Sequence, residues 1–142
     1  MPLGSSTLLL GLEEEGLLAF GSNSCGQLGL GHTDNQLTPT QVPWNGPKPV
    51  QVDWGADYSL VLDVEGGVWE AGRSQTSNSF QQVSNLPPIA FVGAGVSQCV
   101  AVDTEGVLWM WTSSRIKGDL SWTTKRVKGL PPLIKEIGRA HV

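Results

Sequence analysis

Short apolar runs separated by acidic turns recur three times along the chain. Three segments of equal length, residues 4–21, 55–72 and 95–112, align without gaps. In each, an apolar run leads into an acidic turn and then into a second apolar run, which is the pattern of a β-hairpin. The chain is therefore predicted to consist of repeated antiparallel hairpins.

The predicted turns carry residues that suit tight hairpin connections. Residues 63–66 read DVEG and residues 103–106 read DTEG. The aspartate side chain can accept hydrogen bonds from turn N–H groups, and the glycine can adopt a positive φ without steric cost. The first hairpin instead reads EEEG at residues 13–16, so we expect its turn to be one residue out of phase.

Further features indicate how the hairpins are organised. Residues 50–54 alternate with period two and predict an extra strand, while the proline-bearing segments 39–42 and 87–89 are expected to be connections. The second copy starts 51 residues after the first, and the third starts 40 residues later. Small sheets at such spacing are typical of a propeller or a solenoid. Two to three units cannot close a ring, so we expect an all-β, incomplete propeller.

The most specific motif follows the first hairpin. Residues 20–31 read FGSNSCGQLGLG, residues 39–42 read PTQV, and Gly55, Ser59 and Gly66 then follow in order. This pattern closely resembles the repeat of the regulator of chromosome condensation family, over about residues 4–137. The second and third units lack the GQLG motif. The resemblance implies a β-propeller, seven-bladed in the founding member, of which this chain supplies about two to three blades.

The resemblance also implies a division into units and a set of structural residues. We expect a partial propeller over residues 1–136, with repeat units near 4–54, 55–94 and 95–136. The residues expected to carry the repeat's structure are Gly21, Asn23, Gly26, Gln27, Leu28, Gly29, Gly31, Gly55, Gly66, Gly72, Gly95 and Gly106.

The glycine-rich stretch 21–33 has an alternative interpretation as a phosphate-binding loop. Such a loop precedes a helix N-terminus and usually supplies a lysine with a serine or threonine. Here Pro39 follows with no helical pattern, and Lys48 is the first lysine. We therefore interpret the glycines as a tight connection between blades, with Gln27 and Leu28 as anchors, and expect no cofactor.

Catalytic chemistry is not favoured by the remaining residues. One loop histidine, His32, does not make a catalytic triad, and the repeated Asp-x-Glu pairs are explained by turn chemistry. These turns also supply too few ligands for calcium. Of the six tryptophans, Trp69 and Trp109 fall at or beside the strand position where blades pack, so burial between sheets is expected. We predict no catalytic, cofactor-binding or metal-binding residues.

Charge and cysteine content bound the partners and the compartment. The net charge is −4, yet residues 1–110 carry only Lys48 and Arg73 against eleven acidic residues, while residues 111–142 carry seven basic and two acidic ones. That basic segment lacks the interleaved aromatics of single-strand binding, so nucleic acid is not expected as a partner. Cys25 and Cys99 have no metal or redox spacing. With no apolar segment approaching a membrane span, an intracellular protein, cytoplasmic or nuclear, is expected.

The leading functional hypothesis is a non-enzymatic interaction module, part of a larger propeller protein whose loops bind another protein. The family resemblance offers a small GTPase or a ubiquitin-pathway component as the partner. It also leaves open a guanine-nucleotide exchange factor for a Ran-like GTPase. A third alternative is a truncated piece without independent function.

The last six residues form a separate feature. Residues 137–142 read IGRAHV, which is the translation of the common sequencing-adapter text ATCGGAAGAGCACACGTC. We therefore expect this tail to be non-native and leave it out of the fold prediction.

Overall fold

The computed structural model describes residues 6–10, 16–72, 78–95, 98–112 and 125–127. Eleven strands and no helix are found among these residues. The tail 137–142 and Trp122 lie outside them. The strands are β1 Ser6–Leu10, β2 Leu17–Gly21, β3 Gln36–Gln41, β4 Pro49–Trp54, β5 Tyr58–Asp63, β6 Val68–Gly72, β7 Gln81–Gln82, β8 Ile89–Ala94, β9 Gln98–Asp103, β10 Leu108–Thr112 and β11 Lys125–Val127.

The strands form three antiparallel sheets, each a simple meander. The first sheet is β1-β2-β3, the second is β4-β5-β6-β7, and the third contains β8 to β11 in chain order. Strands that follow one another in sequence are therefore neighbours in space, which is the local pairing expected of propeller blades. The predicted all-β class with antiparallel hairpin repeats is confirmed.

Each four-stranded sheet draws its first strand from the preceding sequence unit. β4 ends at Trp54, before the unit that starts at Gly55, and it pairs with β5 inside that unit. β8 likewise ends at Ala94 and pairs with β9 of the following unit. The extra strand predicted at residues 50–54 is thus present, and it ties two successive units into one sheet.

The hairpin registers explain the phase difference of the first turn. Leu62 pairs with Val68, which leaves residues 63–67 between them. Leu10 pairs with Leu17, which leaves residues 11–16 and makes the first connection one residue longer. Gly16 has a φ of 71°. Residues 11–15 of this turn lie outside the described residues, and the pairing on either side agrees with the expected shift by one residue.

One segment expected to be a connection is a strand. Pro39 predicts a connection at residues 39–42, yet β3 spans Gln36–Gln41. β3 is the edge strand of its sheet, and the pairs it makes with β2 involve Gln36, Thr40 and Gln41. Proline is compatible with such an edge, where its missing N–H takes no ladder bond.

Two apolar cores lie between the three sheets. Alternate residues of β5 point to opposite sides, so the whole strand is buried. Val61 joins Leu17 and Ala19 of β2 in the core between the first and second sheets. Tyr58, Leu60 and Leu62 join the core between the second and third sheets, which also contains Val92, Cys99, Ala101 and Trp111. Each fully buried Leu or Val contributes about 2 kcal/mol of transfer free energy.

The tryptophans are distributed over these cores as the sequence indicated. Trp69 packs on the core between the first and second sheets, together with Trp44 and Trp54. Trp109 packs on the core between the second and third sheets. Trp69 and Trp109 thus pack against the cores between the sheets, as expected, but each is only partly buried.

Candidate functional site

The glycine-rich loop between β2 and β3 is organised by Asn23, whose side chain is fully buried. Its Nδ2 donates to the carbonyl oxygens of His32 and Asp34, both at 2.9 Å. Its Oδ1 accepts from the Leu28 N–H at 3.0 Å. Both amide hydrogens and the amide oxygen are thus bonded to the loop's own backbone, which fixes the loop's path.

Several backbone N–H groups of this loop are bonded within the chain. Gly26 and Gly29 donate to the carbonyls of Asn23 and Gly26, and Gly31 donates to the Asn78 carbonyl at 2.8 Å. The N–H of Cys25 donates to Gln27 Oε1 at 2.8 Å. A phosphate-binding loop instead directs a set of successive N–H groups at the anion. The loop geometry therefore supports the interpretation as a connection between blades.

The loop glycines are needed because the loop lies directly on the second sheet. Gly26 has a φ of 77°, and a Cβ there would lie 2.5 Å from Asn78 Cβ. A Cβ at Gly29 would overlap the ring of Phe80. Gln27 and Leu28 are 2% and 0% exposed, so both side chains are enclosed at this contact.

The second and third hairpin turns have the same hydrogen-bond pattern. Asp63 Oδ1 accepts from the N–H groups of Glu65 and Gly67, both at 2.8 Å, and its Oδ2 accepts from Trp69 Nε1 at 2.8 Å. Asp103 Oδ1 and Oδ2 accept from the equivalent groups of Glu105, Val107 and Trp109 at 2.8, 2.9 and 3.0 Å. Both carboxylates are at least nine-tenths buried. Their acceptor oxygens are used by the turn and by the blade tryptophan.

The other glycines of the predicted set also have features of the backbone itself, namely hydrogen-bonded N–H groups or a positive φ. The N–H groups of Gly55 and Gly95 donate to the carbonyls of Tyr58 and Gln98, both at 2.9 Å. Four more glycines have a positive φ, namely Gly21, Gly66, Gly72 and Gly106.

His32 and the cysteines do not form a reactive group within the described residues. His32 Nδ1 accepts from the Asp34 N–H at 3.1 Å, and both side chains are solvent-accessible. Cys25 and Cys99 are free thiols, and Cys99 is buried. No three His, Cys, Asp or Glu residues among those described are placed to hold a metal ion.

A cleft of about 510 Å³ lies beside the Asp63 turn. It is bounded by the segment that leaves the first sheet, by the turn itself and by the segment that enters the third sheet. Its lining residues are Asn45, Gly46, Pro47, Asp63, Glu65, Gly66, Gly67, Trp69, Gln82, Leu86, Pro87 and Pro88. This cleft is not predictable from local sequence patterns, because three segments distant in sequence form it. The proline clusters around residues 47 and 87 were the only available signal.

Membrane insertion by a helix has no support in the described part of the chain. None of its segments forms a helix long and apolar enough to cross a bilayer.

Comparison with known proteins identifies a repeat of a known family in this chain. The family model described as "Regulator of chromosome condensation (RCC1) repeat" matches residues 14–62. The chain is 42% identical over 65 residues to the Protein RCC2 homolog of Xenopus laevis, a match that covers 44% of this chain and 13% of that protein.

Solved structures resemble the fold over most of the chain. Human WBSCR16 matches with a TM-score of 0.74 at 21% identity, covering 92% of this chain and 36% of that one. Prp20p from Saccharomyces cerevisiae matches with a TM-score of 0.68 at 18% identity, covering 88% of this chain and 36% of that one. The chain thus spans about an eighth of the RCC2 relative and about a third of each solved propeller. Residues 14–62 thus contain a repeat of the regulator of chromosome condensation (RCC1) family.

Proposed function

We propose that this chain is a non-enzymatic protein-interaction module, one part of a larger propeller protein. The observation that carries the proposal is the use of the buried polar side chains. Asn23, Asp63 and Asp103 are enclosed, and their side chains are hydrogen-bonded to the chain's own groups. Chemistry requires groups that reach a substrate, whereas these groups position loops and turns. The exposed turns and connections are then the surface available for binding a partner protein.

An exchange factor for a small GTPase is the second candidate. The observation that favours it is the fold similarity to Prp20p, whose structure was described together with its binding properties to Gsp1p and histones. At 18% identity this similarity concerns the fold alone. No residue of this chain can be assigned to nucleotide exchange from it.

The two candidates differ in what happens to a bound GTPase. The decisive assay measures release of fluorescent GDP from Gsp1p, with the 142-residue chain present at a small fraction of the GTPase concentration. We expect the release rate to stay at the spontaneous value. In a parallel arm, binding of the chain to Gsp1p and to histone dimers is measured by interferometry.

Saturable binding to either protein without faster release supports the interaction module. Accelerated release at catalytic concentration contradicts it and establishes the exchange factor. Absence of saturable binding in both arms also counts against the module.

A further inference from the structure

The cleft beside the Asp63 turn combines apolar walls with a carboxylate at its rim. Trp69, Leu86, Pro87 and Pro88 supply the apolar surface, and the exposed Glu65 lies on the turn that borders it. The volume of about 510 Å³ is large enough for side chains of a bound peptide. Such a combination suits a ligand that is apolar along its length and charged at its end.

The walls of the cleft are held in place by the fold. Trp69 is fixed by its hydrogen bond to Asp63, and Gly46 packs so closely that a Cβ there would lie 2.7 Å from the indole Cζ2. The proline segment is tied on both sides. The Pro88 carbonyl accepts from the Thr104 N–H at 3.1 Å, and the next residue, Ile89, donates its N–H to the Gly66 carbonyl at 2.9 Å. A rigid site of this kind loses little conformational entropy when it binds.

The charge of the site selects the ligand. Both charged residues that line the cleft are acidic, and of these Asp63 is buried and already hydrogen-bonded, so Glu65 is the group that faces an incoming ligand. Lys48 follows the lining residue Pro47 in sequence but does not itself line the cleft. Its backbone carbonyl accepts a hydrogen bond from the Val64 N–H of the turn. Residues 1–110 as a whole are strongly acidic. Electrostatic complementarity therefore favours a cationic partner.

We propose that this cleft binds an arginine or lysine side chain from a basic segment of a partner protein. The aliphatic stem packs between Trp69 and the prolines, and the cationic end pairs with the Glu65 carboxylate. Gln82, on the short outer strand, borders the same cleft. The inference rests on the proposed interaction function and adds the location and the charge of the segment that is recognised.

The test uses the whole chain and two matched peptides. One fluorescein-labelled peptide contains Gly-Arg repeats, and the second carries citrulline in place of every arginine, so that shape is kept and charge is lost. Binding is followed by fluorescence polarisation at two salt concentrations. We expect the arginine peptide to bind more tightly than the citrulline peptide, and to weaken as the salt concentration rises.

The variants locate the binding on the cleft. Glu65→Gln is expected to weaken the arginine peptide about fivefold, and Gln82→Lys, which brings a positive charge to the lining, is expected to weaken it further. Glu105→Gln is the matched control, because Glu105 occupies the same position of the equivalent turn but does not line this cleft. Circular dichroism melts check that all variants remain folded.

Equal binding of both peptides, or equal effects of Glu65→Gln and Glu105→Gln, overturns the proposal. If such variants also leave the binding of Gsp1p or histones unchanged, the cleft assignment fails while the interaction function stands. If the unmodified chain binds neither Gsp1p nor histones, the proposed function itself fails.

Discussion

The two interfaces between the three sheets are held together by different kinds of hydrogen bond. Between the first and second sheets, the loop 22–35 folds around Asn23 and lies on residues 78–80, so we call this the loop-closed interface. Between the second and third sheets, side chains of β4 bond to the backbone of β8, so we call this the strand-closed interface. One repeat is therefore joined to the next in two ways.

The strand-closed interface uses groups that would otherwise be an open sheet edge. Gln51 donates to the Val92 carbonyl at 2.9 Å and accepts from the Val92 N–H at 3.1 Å, much as a neighbouring strand would. Asp53 accepts from the Ala94 N–H at 2.8 Å, and the Tyr58 hydroxyl donates to the Gly95 carbonyl at 2.6 Å. Satisfying edge groups in this way prevents their pairing with another chain. The interface that lacks the GQLG loop is thus held by strand side chains.

The largest expected effect comes from Gly72, which faces the glycine-rich loop. Its φ is 99°, and a Cβ there would lie 2.5 Å from the Asp57 carbonyl and 2.8 Å from Gln27. The aligned residue of the third copy, whose preceding unit lacks the GQLG motif, is Thr112. Gly72→Thr is expected to lower the free energy of unfolding by about 4 kcal/mol, from backbone strain and overpacking together. Urea unfolding measures it.

Gly31→Thr is the control for this prediction. Gly31 also has a positive φ, of 88°, but the nearest atom to an added Cβ is Ser79 Oγ at 3.8 Å. Only the strain of placing a side chain at positive φ should remain, which costs about 1–2 kcal/mol. Equal losses of unfolding free energy for the two variants would show that the loop does not pack closely against Gly72.

The next effect is confined to the loop-closed interface. Asn23→Ala removes one acceptor and two donors from a buried site and leaves the His32 and Asp34 carbonyls and the Leu28 N–H without this partner. A loss of about 3 kcal/mol is expected in urea unfolding. Asn23→Asp, of similar size, should also destabilise, because a carboxylate cannot donate to the two carbonyls. A loss below about 1 kcal/mol for both would contradict the central position given to Asn23.

The smallest effect belongs to the strand-closed interface. Gln51→Leu removes the two hydrogen bonds to Val92 while keeping a similar volume, and Gln51 is only partly buried. Water can reach part of the site, so a loss of about 1 kcal/mol is expected in the same urea measurement. A loss as large as that of Asn23→Ala would mean that the two interfaces depend equally on their polar groups.

The sequence predicts those features whose contacts lie within a single hairpin. Asp63 and Asp103 lie next to the groups they bond, so turn chemistry predicted their role, and the extra residue of the first turn could be read from Gly16. Pro39 was misassigned to a connection because edge and central positions in a sheet depend on neighbouring strands.

Long-range contacts could not be predicted from these patterns. Gln51 bonds to a residue 41 positions away, and no local period indicates that pairing. The cleft requires three distant segments to meet at Trp69. The repeat alignment gives equivalence between copies, but it does not give the packing of one copy on another.

Hydrogen–deuterium exchange tests the central claim that these polar groups serve the framework. The amides of Leu28, Gly67 and Val107 each donate to a buried side chain of their own loop or turn. They should exchange slowly in the chain alone, and added GDP with Mg²⁺ should not change any rate in residues 25–31. Rapid exchange at Leu28, together with protection of the loop by GDP, would show that the glycine-rich loop is a nucleotide site after all.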